Sequence, residues 1–204
     1  MSASNSTRLL FEAESVTIRG RRFVPLISPE EIDRAVERVA AAIAASDVVH
    51  PLFLCVLKGG TFFLADLVRR IPLPATIAFV RSTSYGEGMR SSGAPTFTED
   101  AGTDVEGRDV IIVEDIVDTG VTVAQLRTRL MERGAASVRT AAFLYKPRGA
   151  GGAERPDYFG FDIPDRFVIG YGLDYAEEGR HLPGIYVLEE VEGGQGGDNE
   201  QTTA

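Results

Sequence analysis

Six consecutive apolar residues, Leu52-Phe53-Leu54-Cys55-Val56-Leu57, narrow the possible folds more than any other feature of this chain. A strand with one face in water alternates apolar and polar residues, and this run has no polar side. It ends in Lys58-Gly59-Gly60, a turn signal, so it reads as a short strand buried on both faces. A parallel sheet with helices above and below supplies that double cover. A second such run occupies residues 110–113, and further strands are expected at residues 75–80, 138–144, 167–169 and Ile185–Leu188.

Amphipathic stretches lie between the runs. Ser28-Pro29-Glu30-Glu31 opens a helix, with Ser28 as cap, proline at the first position and Glu31 three residues after the cap. Ile32, Val36, Val39 and Ile43 then recur at helical spacing. Further helices are expected after Gly59-Gly60 to about residue 70, and over residues 121–133. Strands alternating with helices predict an α/β fold, a doubly wound parallel sheet, whose ligands gather at the carboxyl ends of its strands.

The chain has 204 residues, 44% of them hydrophobic and 25% charged, which suits one globular domain. Residues 8–192 are expected to form it, with polar, disordered tails at 1–7 and 193–204. One cysteine, Cys55, excludes a disulfide framework, and two histidines are too few for most histidine metal centres. The start lacks a signal-peptide pattern and no apolar run approaches a membrane span, so a cytoplasmic location with no membrane partner is expected. Lys plus Arg number 21 against 30 Asp plus Glu, a net charge of -9, which speaks against a broad nucleic-acid face. Anionic phosphates must then be bound locally, by backbone amides and a few placed cations.

The densest chemistry is in Val110-Ile111-Ile112-Val113-Glu114-Asp115-Ile116-Val117-Asp118-Thr119-Gly120-Val121-Thr122. A buried strand runs into two adjacent carboxylates, a third follows three residues later, and Thr119-Gly120-Val121-Thr122 opens a helix. The helix start offers free N–H groups and a positive dipole end, and the threonines add hydroxyl donors, which suits a terminal phosphate. Glu114 and Asp115 can accept from vicinal ribose hydroxyls or hold magnesium through water. One such acid would be read as a helix cap; the whole constellation describes a ribose 5-phosphate site.

At these residues the chain resembles the type I phosphoribosyltransferases, whose signature is an apolar strand, two acids, two apolar residues and Asp-Thr-Gly-x-Thr. The likeness runs from about residue 10 to 190, and its remaining motifs resemble the hypoxanthine-guanine branch of that family. The resemblance implies a small hood over the active site and a Mg2+ requirement. It also implies transfer of the phosphoribosyl group from phosphoribosyl pyrophosphate to hypoxanthine or guanine, releasing pyrophosphate with IMP or GMP. A homo-oligomer, dimer or tetramer, is expected on the same ground.

Residue roles follow from that resemblance. Lys58 and Gly59 belong to a pyrophosphate loop, which in the family often carries a non-proline cis peptide, and Arg180 clamps the same group. Glu114, Asp115, Asp118, Thr119, Gly120, Val121 and Thr122 bind the ribose phosphate, Val121 through its backbone N–H. Ser84 and Tyr85, in a long polar stretch, belong to a lid that excludes water. Lys146, at a strand end, is a pure donor suited to the 6-oxo oxygen of a purine. Phe167 would stack on the base, the Val168 backbone would read its edge, and Asp174 would serve both the base pocket and the metal. Glu114, Asp115 and Asp174 are the candidate metal ligands, and Asp118 is the candidate general base. Two other readings are a regulator that binds RNA or DNA with this fold, and a transferase preferring xanthine.

Overall fold

The computed structural model describes residues 15–83, 96–99, 103–147 and 154–189. Strands β1 (Val16–Ile18) and β2 (Arg21–Ile27) lead into helix α1 (Pro29–Ala44). Its start is the expected capping box: Glu31 N–H donates to Ser28 Oγ at 3.2 Å, and Ser28 N–H donates to the Glu31 carboxylate at 2.8 Å. Losing such a cap costs about 1 kcal/mol. The apolar stripe of α1, Ile32, Ala35, Val36, Val39, Ala40 and Ile43, is wholly buried.

The run Leu52–Leu57 is β3, followed by α2 (Gly60–Val68), β4 (Thr76–Thr83) and β5 (Thr96–Glu99). Next come β6 (Asp109–Val117), α3 (Val121–Glu132), β7 (Ser137–Tyr145) and β8 (Tyr158–Asp162). These strands form a six-stranded sheet in the order β5-β4-β3-β6-β7-β8. All neighbours are parallel except β5, which runs antiparallel on the edge. From β3 the chain winds outward to β4, then crosses back to β6 and winds the other way, so the reversal lies between β3 and β6.

Successive β3 residues find apolar cover on opposite faces. Phe53 and Cys55 pack with Ile111, Val113, Phe63, Leu67 and the buried stripe of α1. Leu52, Leu54 and Val56 pack with Val110, Ile112, Leu126 and Leu130, the last two from α3. Each such side chain stabilises the fold by about 1.5–3 kcal/mol. Cys55 is fully buried and unoxidised, and burial pushes its thiol up to about 12.

The expected segments 167–169 and Ile185–Leu188 do not extend the parallel sheet. They appear as β9 (Val168–Ile169) and β10 (Ile185–Leu188) in a separate antiparallel sheet, β1-β2-β10-β9. One side of this sheet, Phe23, Ile169 and Tyr186, closes a small core with Leu182, while Ile27, Val168, Ile185 and Val187 join the main core. The hood is thus built from both ends of the described chain. β1, β5 and β8 carry no clear apolar run, and the apolar residues of β2 follow two arginines and are interrupted by Pro25; none of the four strands was expected from the sequence. Residues 1–7, 193–204 and the lid candidates Ser84 and Tyr85 lie outside the described residues. Among the described residues no helix is long and apolar enough to cross a membrane.

Candidate active site

Lys58, Asp118 and Lys146 each follow directly on the carboxyl end of a parallel strand, β3, β6 and β7 respectively. They therefore share the edge of the sheet where the winding reverses, the place such folds bind ligands.

β6 runs further than its apolar residues suggest. Pairing with β3 ends at Cys55↔Val113, but pairing with β7 continues through Glu114↔Ala142 to Val117↔Tyr145. The acidic pair therefore lies inside the strand, on the stretch where one neighbour has fallen away, rather than beyond its end. Glu114 is buried, and burial followed by the negative charge of Asp115 holds its carboxyl well above the usual range. Burial raises Asp115 too, against the pull of the Ile116 N–H, which donates to Asp115 Oδ1 at 2.9 Å, and of the Arg180 guanidinium. For both carboxyls burial outweighs the donors and the positive charge around them.

Beyond Val117 the chain turns through Asp118 and Thr119 into α3. Gly120 stands at the helix cap with φ of 74°, a left-handed backbone that favours glycine. No side chain caps this helix and its first turn holds no acid. A cavity of about 230 Å3 runs from Thr119, Gly120 and Val121 along α3 past Val123 and Ala124 to Arg127 and Glu154. Val121 is 48% exposed.

The turn after β3 is wedged between β6 and the hood. A Cβ on Gly59 would lie 1.6 Å from Asp115 Oδ2, and one on Gly60 2.9 Å from the Val113 carbonyl oxygen. From the other side, a Cβ on Gly172 would lie 2.2 Å from the Gly59 carbonyl oxygen. The Leu57–Lys58 peptide is cis, as the resemblance implied. Neighbouring Tyr171 ties the hood to α2: its hydroxyl donates to Asp66 Oδ2 at 2.8 Å.

Lys146 is buried, with Nζ 3.2 Å from Asp165 Oδ1 and 3.6 Å from Asp118 Oδ2. Candidate base and candidate base-reader are therefore brought together. Phe167 touches Phe23 and, edge-on, Tyr175, yet remains 46% exposed. That exposure separates it from an ordinary core aromatic and leaves part of the ring open for stacking. Val168 is buried, its strand held by pairing with Val187.

Arg180 is anchored from two sides. Its Nη1 donates to the Gly172 carbonyl at 2.7 Å and its Nη2 pairs with Asp174 Oδ1 at 2.6 Å. The other Asp174 oxygen accepts from the Glu177 N–H at 2.8 Å. Asp174 is thus engaged with its own loop. Among the described residues, no three His, Cys, Asp or Glu side chains form a group that could hold a metal by themselves. Glu114, Asp115 and Asp174 do not make a cage. His181 is exposed.

Sequence reasoning passed over Asp165 and Glu177, which contact Lys146 and Lys58. Asp165 lies two residues from Phe167, a nearness that could have flagged it; Glu177 sits in a run of charged residues with no local signal.

Residues 28–176 match the family described as phosphoribosyl transferase domain. The chain is 38% identical over 175 residues to a hypoxanthine-guanine phosphoribosyltransferase of Aquifex aeolicus, covering 85% of this chain and 98% of that one. It is 42% identical over 165 residues to the Bacillus subtilis protein of the same name, 80% and 92% of the two chains. A crystal structure of a Bacillus anthracis hypoxanthine-guanine phosphoribosyltransferase superposes with a TM-score of 0.74 at 34% identity, covering 80% of this chain and 96% of that one. The reversal point of the sheet, the uncapped helix after a buried acidic pair and the lysine beside Asp118 all sit within a likeness of that extent, and the chain belongs to the phosphoribosyltransferase family, with the hypoxanthine-guanine enzymes as its relatives.

Proposed function

We propose that this chain is a purine-salvage enzyme that transfers the 5-phosphoribosyl group from phosphoribosyl pyrophosphate to hypoxanthine or guanine. The observation that carries the reading is the placement of Lys146 beside Asp118, directly ahead of an uncapped helix start. A donor for a 6-oxo group, an acceptor for a ring proton and a cradle for a phosphate are what this transfer needs from a protein.

In this reading the backbone N–H groups at the start of α3, with the Thr119 and Thr122 hydroxyls, hold the 5-phosphate. Glu114 and Asp115 accept from the ribose hydroxyls. Lys146 donates to the purine carbonyl, Phe167 stacks on the ring, and the Val168 backbone reads its edge. Asp118 takes the imidazole proton as the new carbon–nitrogen bond forms. Lys58 and Arg180, with the Gly59 backbone, face the departing pyrophosphate. Charge develops on the sugar and the leaving group, so most of the catalysis is electrostatic positioning.

The family is consistent with a divalent metal, and the donor set fits magnesium. Glu114 and Asp115 are hard oxygen ligands, Asp174 offers a third carboxylate, and too few converge to satisfy the ion without substrate oxygens and water. When bound, the metal neutralises charge on the diphosphate. The buried lone cysteine and the acidic balance support a cytoplasmic enzyme, and a dimer or tetramer belongs to the same reading.

The decisive assay offers hypoxanthine, guanine, xanthine and adenine with phosphoribosyl pyrophosphate and magnesium. IMP and GMP should form, and chelation should stop them. A product from xanthine in preference to both would shift the substrate, and tight binding of RNA or DNA with no transfer would overturn the enzyme.

A further inference from the structure

A four-residue hairpin in the hood has the wrong residues at its tip. Tyr175 N–H donates to the Glu178 carbonyl at 2.9 Å and Glu178 N–H returns the bond at 3.1 Å, leaving Ala176 and Glu177 as the turn. Both have positive φ, 51° and 70°. Tight hairpins of this kind favour Asn and Gly, because a Cβ is crowded there. A side chain kept in such a backbone is a pointer to function when neighbours hold it in place.

Those neighbours are the cations of the pyrophosphate site. Glu177 Oε2 lies 2.7 Å from Lys58 Nζ, and Oε1 lies 3.8 Å from Arg180 Nη2. Asp174 steadies the arrangement by accepting from the Glu177 N–H while pairing with Arg180. One carboxylate thus spreads its two oxygens over two cations, as a phosphate group would. Its side chain is 68% exposed, so it can leave.

We propose that Glu177 is a built-in stand-in for pyrophosphate. It occupies Lys58 and Arg180 when the site is empty, is displaced by the incoming diphosphate, and returns to those cations as pyrophosphate departs. The role rests on the reading above that Lys58 and Arg180 hold that group. It makes Glu177 a competitor that weakens diphosphate binding and speeds product release, with no part in holding the purine.

The test is titration of pyrophosphate with magnesium into the wild type and Glu177→Gln, with product inhibition and both substrate KM values measured alongside. Removing the competing charge should tighten pyrophosphate roughly two- to five-fold, the range of an exposed ion pair. KM for phosphoribosyl pyrophosphate should fall with it while KM for hypoxanthine stays put. The gain should shrink in a Lys58→Met background, where only the longer contact to Arg180 is left for the substitution to remove. Glu177→Gly removes the same carboxylate and suits the positive φ, so it should behave alike even if the glutamine variant folds poorly. Should both variants bind pyrophosphate no tighter than wild type, while the wild type turns over normally, Glu177 is only a turn residue. A wild type that neither binds pyrophosphate nor uses phosphoribosyl pyrophosphate would instead remove the underlying assignment, and this proposal with it.

Discussion

The two halves of the site are made in different ways. The half proposed to hold the ribose phosphate, from Glu114 to Thr122, is one uninterrupted stretch of chain laid along a central strand and the helix after it. Its side chains point where the sheet directs them. The half proposed to hold the purine and the pyrophosphate draws on Lys58, Lys146, Phe167, Asp174 and Arg180, which lie on separate loops and on a hood whose strands come from both ends of the described chain. Its geometry is held by close glycine contacts, a buried tyrosine and ion pairs. The contiguous half should therefore fail through its chemistry, and the assembled half through its fit.

The largest effect is expected where the first half meets the reaction. Asp118→Asn keeps the shape and removes the proton acceptor, so turnover should fall by about 10²–10⁴-fold. Affinity for phosphoribosyl pyrophosphate should barely change. Steady-state and single-turnover rates measure this, and an unaltered chemical step would take Asp118 out of the mechanism.

At the joint between the halves, Gly59→Ala drives a Cβ into Asp115 Oδ2. Either the loop or the carboxylate must move, and a shift near 1 Å in a positioned group can cost about 10²-fold. Turnover should drop to that extent, with a rise in KM for phosphoribosyl pyrophosphate larger than that for the base. Normal kinetics in a folded Gly59→Ala protein would show that the joint can yield without consequence.

Lys146→Ala probes the assembled half. A charged hydrogen bond is worth about 1.5–3 kcal/mol, so kcat/KM for hypoxanthine and guanine should fall by at least roughly ten-fold. Discrimination against adenine should narrow, because the donor that adenine cannot satisfy is gone. If the preference for 6-oxopurines survives, the hood backbone sets it.

The smallest effect belongs at the far end of β6. Asp109 accepts from Ser137 Oγ–H at 2.5 Å and from Val49 N–H at 3.1 Å, and these bonds hold its carboxyl below the ordinary carboxylate range. A lowered folded value means the contribution is complete above the unfolded value and disappears as pH falls through the folded one. Asp109→Asn should lower the melting temperature slightly at neutral pH, and the gap to wild type should close below about pH 4. Kinetics should not change. A gap that persists undiminished in acid would mean the carboxylate's charge is not what holds that corner.

Much of the first half is legible in the amino-acid order alone. The buried strand, the acids, Asp118 and the Gly120 turn are neighbours in sequence, and local periodicity places them correctly to within the longer reach of β6. The capping box at Ser28 is legible for the same reason. Asp165 and Glu177 are not, because nothing in their neighbours says which cation they will meet. Strands β1 and β2 are equally silent: Arg21-Arg22-Phe23-Val24-Pro25-Leu26-Ile27 alternates poorly, and it is a strand because β10 pairs with it.

The sequence by itself determined a sheet buried on both faces and a phosphate-shaped turn at the end of one strand, since both depend on residues within a few positions of each other. Only the tertiary structure decided that the late strands leave that sheet to form a hood with the first ones. It alone set Gly59 flush between Asp115 and Gly172, and brought Lys146 to Asp118. These are pairings over long separations, chosen by shape and charge once the core has formed, and no local pattern encodes them.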